Sequence, residues 1–594
     1  MMQLPKLKEL NTSRQIVDTF RGYNHNLRIT EGEFFDMKNM TSDYCPILAP
    51  RGCRGVYAST VACGGLIAKD ALCYVDGSDF VMNQYRYDMG LSTGPKQLVS
   101  MGANVIILPD KKYFNTQKLT HGNIEAHITT SGEVRFELCT ADGAKYENAK
   151  VQADEPAEPS NLDLWIDTST TPHTLRQYSS TSAVWVSIAT TYVKITAVGS
   201  GIGKTFNRYD GVTISGITDV DLKDLNCTAT IWSCEDDSIV VTGIVDNVTS
   251  QDTPICISRW MPNFDHLIES KNRLWGCFYG FPYKGKAYNI EKGITEDVYG
   301  EEAVNEIYAC KLGDFQNWNS FMGLATDSYV VSVGTDGQFT GAAPHMGYPC
   351  FFKENVLHKV YGDYPSNYQV QDTTCRGVQK GCEKSLAIVN EVLFYKSRSG
   401  VCAYDGSLPT EVSYQFGNEL YGQAVGGSHL NKYYISMADA GGQYHLFVYD
   451  TANGMWHKED DLRAECFCSC DGEMYALVDE DIITLLGSGM QREGQVKWMA
   501  QTGPIGTEMP DMKYVARLTV RMSMAIGSNV KMMVQYDSMG GWEQLCSIAG
   551  TNLRSFSIPL RPRRCDHLRL RIEGEGDVRI YSITKTIEQG SELS

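Results

Sequence analysis

"LCYVDGSDF" occupies Leu72–Phe80: a short apolar and aromatic run, an Asp-Gly corner, and the start of a second run. Asp-Gly supplies the positive φ angles of a tight turn, so the stretch predicts two antiparallel strands joined by a hairpin. The unit returns loosely as "VSVGTDGQFTG" (Val331–Gly341), "GVCAYDGSLP" (Gly400–Pro409), "LFVYDTANGMW" (Leu446–Trp456) and "CSCDGEMYAL" (Cys468–Leu477). Hairpins recurring about every 40–50 residues predict the blades of a β-propeller. The repeats carry no kelch or WD signature, so their spacing leaves the number of blades open.

The surrounding sequence is of the same kind. Almost no segment has a long 3.6-residue period, and short runs rich in Val, Ile, Tyr and Phe alternate with Gly, Asp and Asn, which is the pattern of an all-β chain. At 594 residues the chain exceeds one ordinary core, so several domains are expected. Residues 1–117 read as an N-terminal arm and the first blades. The regular series breaks between Lys118 and Arg259, where an acidic, Pro-rich stretch (Asn148–Trp165) precedes further strands. Residues 118–259 are therefore expected to form one or two inserted β-domains, with Trp165 and Trp185 as core anchors. Residues 260–494 read as the remaining blades, resuming at "FDHLIESKNRLWGCFYG" (Phe264–Gly280).

From about Lys497 short alternating strands crowd together, from "YVARLTVRMSM" to "DVRIYSITKTI", and residues 495–594 predict a β-sandwich of jelly-roll-like spacing. In "DHLRLRIEG", Leu568, Leu570 and Ile572 fall on one face and Arg569 and Arg571 on the other, the outward arginines needing only solvent. The preceding "RPRR" places Arg561, Arg563 and Arg564 in a loop, where Pro562 limits ladder hydrogen bonds. That loop is the candidate contact patch of a chain whose formal charge is −18.

The acidic balance argues against a free-standing DNA-binding protein, which normally shows a basic face. The N-terminus has no signal-like apolar run and no stretch approaches the roughly 18 residues of a membrane span, so a soluble chain made in a cytoplasm is expected, without membrane contact. Nineteen cysteines, an odd number without paired metal spacing, are expected to be reduced. Cys466, Cys468 and Cys470 alternate in "ECFCSC" and share one strand face, where three small apolar side chains meeting a core is a better reading than a metal site.

"VGSGIGKT" (Val198–Thr205) approaches a phosphate-binding loop, but it is one residue short, and "FNRYDGVTISG" after it reads as a turn and strand. A glycine-rich turn is expected. "HKEDD" (His457–Asp461) and "DVDLKD" (Asp219–Asp224) lack a calcium-loop spacing and read as solvated loops. No cofactor, metal or catalytic motif is predicted, though two carboxylates from distant loops would suffice for a glycosidase. Asn272 and Arg273 precede Leu274 and Trp275 in "ESKNRLWGC". They are candidates for a channel position or, more simply, for bonding the carbonyls of a neighbouring blade.

Four stretches together resemble a tailed-bacteriophage virion family described as packaged-DNA stabilisation proteins of the head–tail junction, related to propeller-based tail hubs or nozzles. They are "FRGYNHNLRITEGEFFDMKNMTSDYCPILAPR" (Phe20–Arg51), "LVSMGANVIILPDKKYFNT" (Leu98–Thr116), "ESKNRLWGC" with "VNEIYACKLGDFQNWNSF" (Val304–Phe321), and "IPLRPRRCDHLRLRIEGEGDVRIYSIT" (from Ile558). The resemblance covers most of the chain but no catalytic motif. It implies a non-enzymatic homo-oligomeric ring, commonly of six copies, below the portal and adaptor proteins in the virion. Packaged DNA would pass through the ring without sequence recognition. A receptor-binding tail-tip or fibre protein that holds glycan through the insert, with Tyr178 and Tyr192 as stacking rings, and a glycan-degrading propeller enzyme are the alternatives.

Overall fold

Each repeated corner turns on a glycine: Gly77, Gly337, Gly406, Gly454 and Gly472 have φ between 63° and 109°, where a Cβ would be strained. The computed structural model describes residues 12–589 except 291, 293, 510, 511, 551 and 562, so Pro562 lies outside the described residues. In the first corner the aspartate is not a turn residue. Asp76 ends its strand, and its carboxylate accepts from the N–H groups of Val61 (2.8 Å) and Ala62 (3.0 Å).

The chain is all-β. Seven antiparallel sheets follow one another: Cys63–Asp88, Gln97–Asn123, His266–Ser332, Gly341–Thr374, Ala387–Glu411, Tyr421–Lys458 and Cys466–Thr484. The first six have four strands each, in chain order. The first strands of neighbouring sheets touch, and the turn Glu383–Ser385 makes the step from the fourth sheet to the fifth. The seventh sheet has five strands: three lie within Cys466–Thr484, and Gly55–Ser59 from the N-terminal region is set between Asp481–Thr484 and Gln491–Arg492. Its Tyr475, Leu477 and Ile482 pack against Leu72, Tyr74 and Val81 of the first sheet. Such interfaces between sheets are filled by aliphatic and aromatic side chains from both sides, and this burial is what holds successive sheets together.

The insert runs from Ala126–Thr129 to Cys256–Arg259 around one core that includes Phe136, Ile195, Phe206, Ile214 and Ile239. Trp165 is buried and meets the half-buried Trp185 edge to face at 5.5 Å. Within the insert Arg259 forms a buried pair with Asp210, and Asn317 of the third sheet's loop is bonded to the same point. Asn317 donates to Asp210 at 3.0 Å and accepts from the Gly211 N–H at 2.8 Å.

The C-terminal sandwich is not built from the C-terminal sequence alone. Thr12–Val17 lies along Val578–Gln589 in one sheet, and Phe34–Lys38 lies along Lys497–Thr502 in the other. The arm thus supplies a strand to each layer, and Phe34 is buried in the shared core with Met532, Leu570 and Ile572. Leu568, Leu570 and Ile572 face inward as the alternation requires. The arginines between them are half-buried rather than freely solvated. The Arg569 guanidinium lies 4.7 Å from the Phe35 ring of the arm, and Arg571 pairs with Glu573 at 2.6 Å beside Trp542. A cationic plane on an aromatic face covers apolar surface while keeping its charge.

"HKEDD", expected as a solvated loop, is instead the other half of an ionic cluster. Arg51 grips Glu493 with both terminal nitrogens, at 2.7 and 3.0 Å, and its Nε donates to Asn39 at 2.9 Å. Arg54 binds Asp460 at 2.6 and 3.1 Å and Glu459 at 2.7 Å. Both arginines and Glu459 are buried. Burial opposes charge on Glu493, but the bond and field of Arg51 outweigh it and hold its pKa below the ordinary value. The cluster joins the arm, the end of the sixth sheet and the segment that enters the sandwich. Removing one partner of such a group strands a buried charge, and Arg54→Met is expected to cost about 3–5 kcal/mol. Denaturant unfolding followed by fluorescence will read this as a lowered midpoint, whereas a loss under 1 kcal/mol would mean the cluster is hydrated.

Candidate functional site

Lys271 and Asn272 form the corner between His266–Ser270 and the strand that begins at Arg273, and both have positive φ, 52° and 58°. Asn tolerates that conformation and suits the two-residue hairpin. Asn272 itself is exposed, its N–H donating to Glu269 at 2.7 Å. Arg273 is 1% exposed, which removes it from any solvent-lined channel. Its Nη1 donates to the carbonyls of Cys310 (2.7 Å) and Asp327 (2.6 Å), and its Nη2 to that of Ala325 (2.8 Å). These carbonyls belong to its own sheet and to the loop before the sheet's last strand, not to a neighbouring sheet. The ring of Tyr368, from the fourth sheet's side, lies 6.0 Å from the guanidinium. Arg273 is an internal brace for the loop that carries Asn317 and Trp318.

Arg561, Arg563 and Arg564 are all exposed on the sandwich. Arg563 lies over the Tyr536 ring at 5.2 Å and meets Glu543 at 3.3 Å, an exposed pair of little energetic weight. Among the described residues neither Arg561 nor Arg564 has an ion-pair partner. The three keep their charge available to an acidic surface.

The glycine-rich turn does not open a phosphate-binding helix. Ile202–Thr205 is a single turn, and the Asp237 carboxylate already accepts from the Gly199 N–H (2.9 Å) and the Gly201 N–H (2.7 Å). Those bonds hold the Asp237 pKa below its ordinary value. An internal carboxylate occupies the donors a phosphate would need. Gly203 is required for another reason: an added Cβ would sit 1.5 Å from the Glu235 carbonyl oxygen.

Cys466, Cys468 and Cys470 point together toward the first sheet and pack with Tyr74, Leu66 and Cys63. Burial pushes the Cys466 thiol up to about 11 and that of Cys468 to about 12, the behaviour of inert core thiols. No group of three metal-ligating side chains converges among the described residues. In "DVDLKD", Asp221 and Asp224 are exposed, as solvated acids should be. Tyr178 packs edge to face on Trp185 at 5.3 Å, and Tyr192 on Trp232 at 5.4 Å. Both tyrosine rings are half-buried within the insert.

Two features were not anticipated from the sequence. One is a recess of about 300 Å³ where the third, fourth and fifth sheets meet, lined by Asp265, His266, Tyr279, Lys380 and Glu383. Asp265 there accepts from the Tyr279 N–H at 2.7 Å. The other is the length of the third sheet's central hairpin, Arg273–Asn289 paired with Ile294–Ala309. Its signal was legible as two alternating runs, "FPYKGKAYN" and "ITEDVYGEE", on either side of "IEKG".

Neither a protein-family model nor a curated protein matches the chain. Among solved structures, it is similar to an exo-β-1,3-galactanase from Phanerochaete chrysosporium at 6% identity and a TM-score of 0.20, over 54% of this chain and 95% of that one. It is also similar to PorZ, a bacterial surface component of the type-IX secretion system of Porphyromonas gingivalis, at 9% identity and a TM-score of 0.16, over 88% and 82% of the two chains. Likenesses this distant carry no argument about activity.

Replacing the brace by Arg273→Met takes this donor from the buried carbonyls of Cys310 and Asp327 and the partly buried one of Ala325, at a cost of about 3 kcal/mol. Arg273→Lys, with one ammonium in place of a planar fork, is expected to recover only part of this. Urea unfolding of the three proteins tests the order; equal midpoints for all three would show that the carbonyls find other donors.

Proposed function

We propose that the chain is a structural protein of a tailed-phage virion, assembling as a ring at the head–tail junction or tail hub that extends the DNA channel and helps retain the packaged genome. One observation carries the reading most: a body in which the N-terminal arm is built into the C-terminal sandwich sends out a long hairpin that, among the described residues, no third strand pairs over its outer ten positions. Such a surface suits assembly. The four stretches that resemble the head–tail family supply structural parts: the arm, the second sheet, the braced loop of the third sheet, and the sandwich.

In this reading the seven sheets are the blades of a closed propeller, supported by the packing of the seventh sheet on the first and by the strand it borrows from residues before the first sheet. The charge of −18 fits a wall along which DNA slides, since electrostatic adhesion would hold the genome back. Arg561, Arg563 and Arg564 then meet an acidic surface of a neighbouring copy or of a portal, adaptor or tail protein, where arginine forks pair with carboxylates. A glycan-degrading enzyme is the second reading, and the recess with Asp265 and Glu383 is the place it favours.

Immunogold electron microscopy with antibody to this chain, on particles from a producing culture, tests the first reading. Label at the junction of head and tail is expected. Label at the distal tip would replace the reading with receptor binding, and unlabelled particles would overturn it.

A further inference from the structure

The third sheet has four strands only near its base. His266–Ser270 covers Arg273–Cys277 on one side, and Tyr329–Ser332 covers Glu306–Ala309 on the other. Beyond a bulge at Phe278 and Gly280 the two central strands continue alone for ten paired positions, from Gly280↔Ala303 to Asn289↔Ile294. At about 3.3 Å per residue this ribbon projects roughly 30 Å. Among the described residues, both of its edges are unpaired over that length. A two-stranded ribbon without a covering layer is marginal in water, and free edges invite another strand.

The ribbon has two unlike faces. Phe281, Gly285 and Ala287 share one face with Ile294 and Val298 and with the acids Glu296 and Glu302, and Phe281, Ile294 and Val298 are each 40–54% exposed. Lys284, Lys286, Thr295 and Asp297 occupy the opposite face. The two edges are also unlike. Phe281–Asn289 carries Lys284 and Lys286 and no acid, while Ile294–Glu302 carries Glu296, Asp297, Glu301 and Glu302 and no base. Lys284 pairs with Asp297 at 2.8 Å inside the ribbon, and both side chains stay about half exposed.

This asymmetry selects the occupant. Two copies pairing acidic edge to acidic edge, or basic to basic, would set like charges beside each other. Pairing the basic edge of one copy with the acidic edge of the next is attractive and leaves a free edge at each end of the pair. Such a contact is heterologous, and it propagates into a ring when the rotation closes. We propose that the ribbons of successive copies of this chain pair edge to edge, basic strand against acidic strand, into one intermolecular sheet. The apolar faces of neighbouring ribbons then align on the same side and cover one another's flanks. The proposal names the contact within the ring suggested above, yet it stands or falls separately. Particle labelling at the junction does not require the ribbon, and ribbon-mediated association does not require a virion.

The test is sedimentation velocity of the full chain over a range of concentrations, with two charge-reversed variants. One is Lys284→Glu with Lys286→Glu; the other is Glu296→Lys with Asp297→Lys. The wild type is expected to associate with rising concentration. Each variant alone is expected to lose association, because every junction then joins like charges. An equimolar mixture of the two variants restores opposite charges at both kinds of junction and is expected to associate again. That recovery separates a contact from a folding defect, since misfolded variants do not rescue each other. A wild type monomeric at all concentrations, variants that associate as the wild type does, or a mixture that stays monomeric would each overturn the proposal.

Discussion

Arg51 and Arg54 lie where three separate lengths of chain converge, and their partners Glu459, Asp460 and Glu493 come from about four hundred residues downstream. Arg51, Arg54 and Glu459 are largely removed from water, so each needs its counter-ion and its hydrogen bonds to be tolerated at all. That requirement fixes where the arm leaves the sandwich, where the sixth sheet ends, and where the chain re-enters the sandwich. Asn39 adds backbone and side-chain bonds to Glu459, Arg51 and Lys497 at the same point. With this node in place, Phe34–Lys38 reaches one layer of the sandwich and Gly55–Ser59 reaches the seventh sheet.

The consequence is a chain whose ends support each other. Burial of Phe34 and the strands of the arm makes the C-terminal sandwich dependent on residues laid down first, and the last sheet dependent on residues before the first. Mobility has little room in such a body. What remains outward is the ribbon of the third sheet, the arginine loop of the sandwich and the surface of the insert. A protein organised in this way is suited to bear load and to present fixed contacts, which is the sense of the assembly reading. Edge pairing between ribbons would use backbone hydrogen bonds for strength and the lysine and acid rows for direction.

Part of this could be read from residues in order. The glycines of the repeated corners announced hairpins because positive φ has few tenants, and the alternation of Leu568, Leu570 and Ile572 announced a half-buried strand because side chains alternate at period two. The failed spacing of "VGSGIGKT" was visible too, whereas the carboxylate of Asp237 that fills the turn was not. The arm stayed hidden for a physical reason: "TSRQIV" and "FFDMK" are too short to declare a strand, and their partners lie hundreds of residues away, where only tertiary packing sets the register. The same distance misled the reading of "HKEDD", since acids look solvated until the arginines that bury them are found. At Arg273 the need for carbonyl acceptors was legible, but not that the loop between the last two strands of its own sheet supplies them.

Hydrogen–deuterium exchange of the full chain at low and high protein concentration tests this account most directly, because it reads the clasped ends and the ribbon together. The account predicts that Thr12–Val17 and Phe34–Lys38 exchange as slowly as the sandwich strands they pair with at both concentrations, while residues 281–302 become protected only at the higher one. An arm that exchanges within seconds beside a protected sandwich, or a ribbon whose exchange ignores concentration, would contradict it.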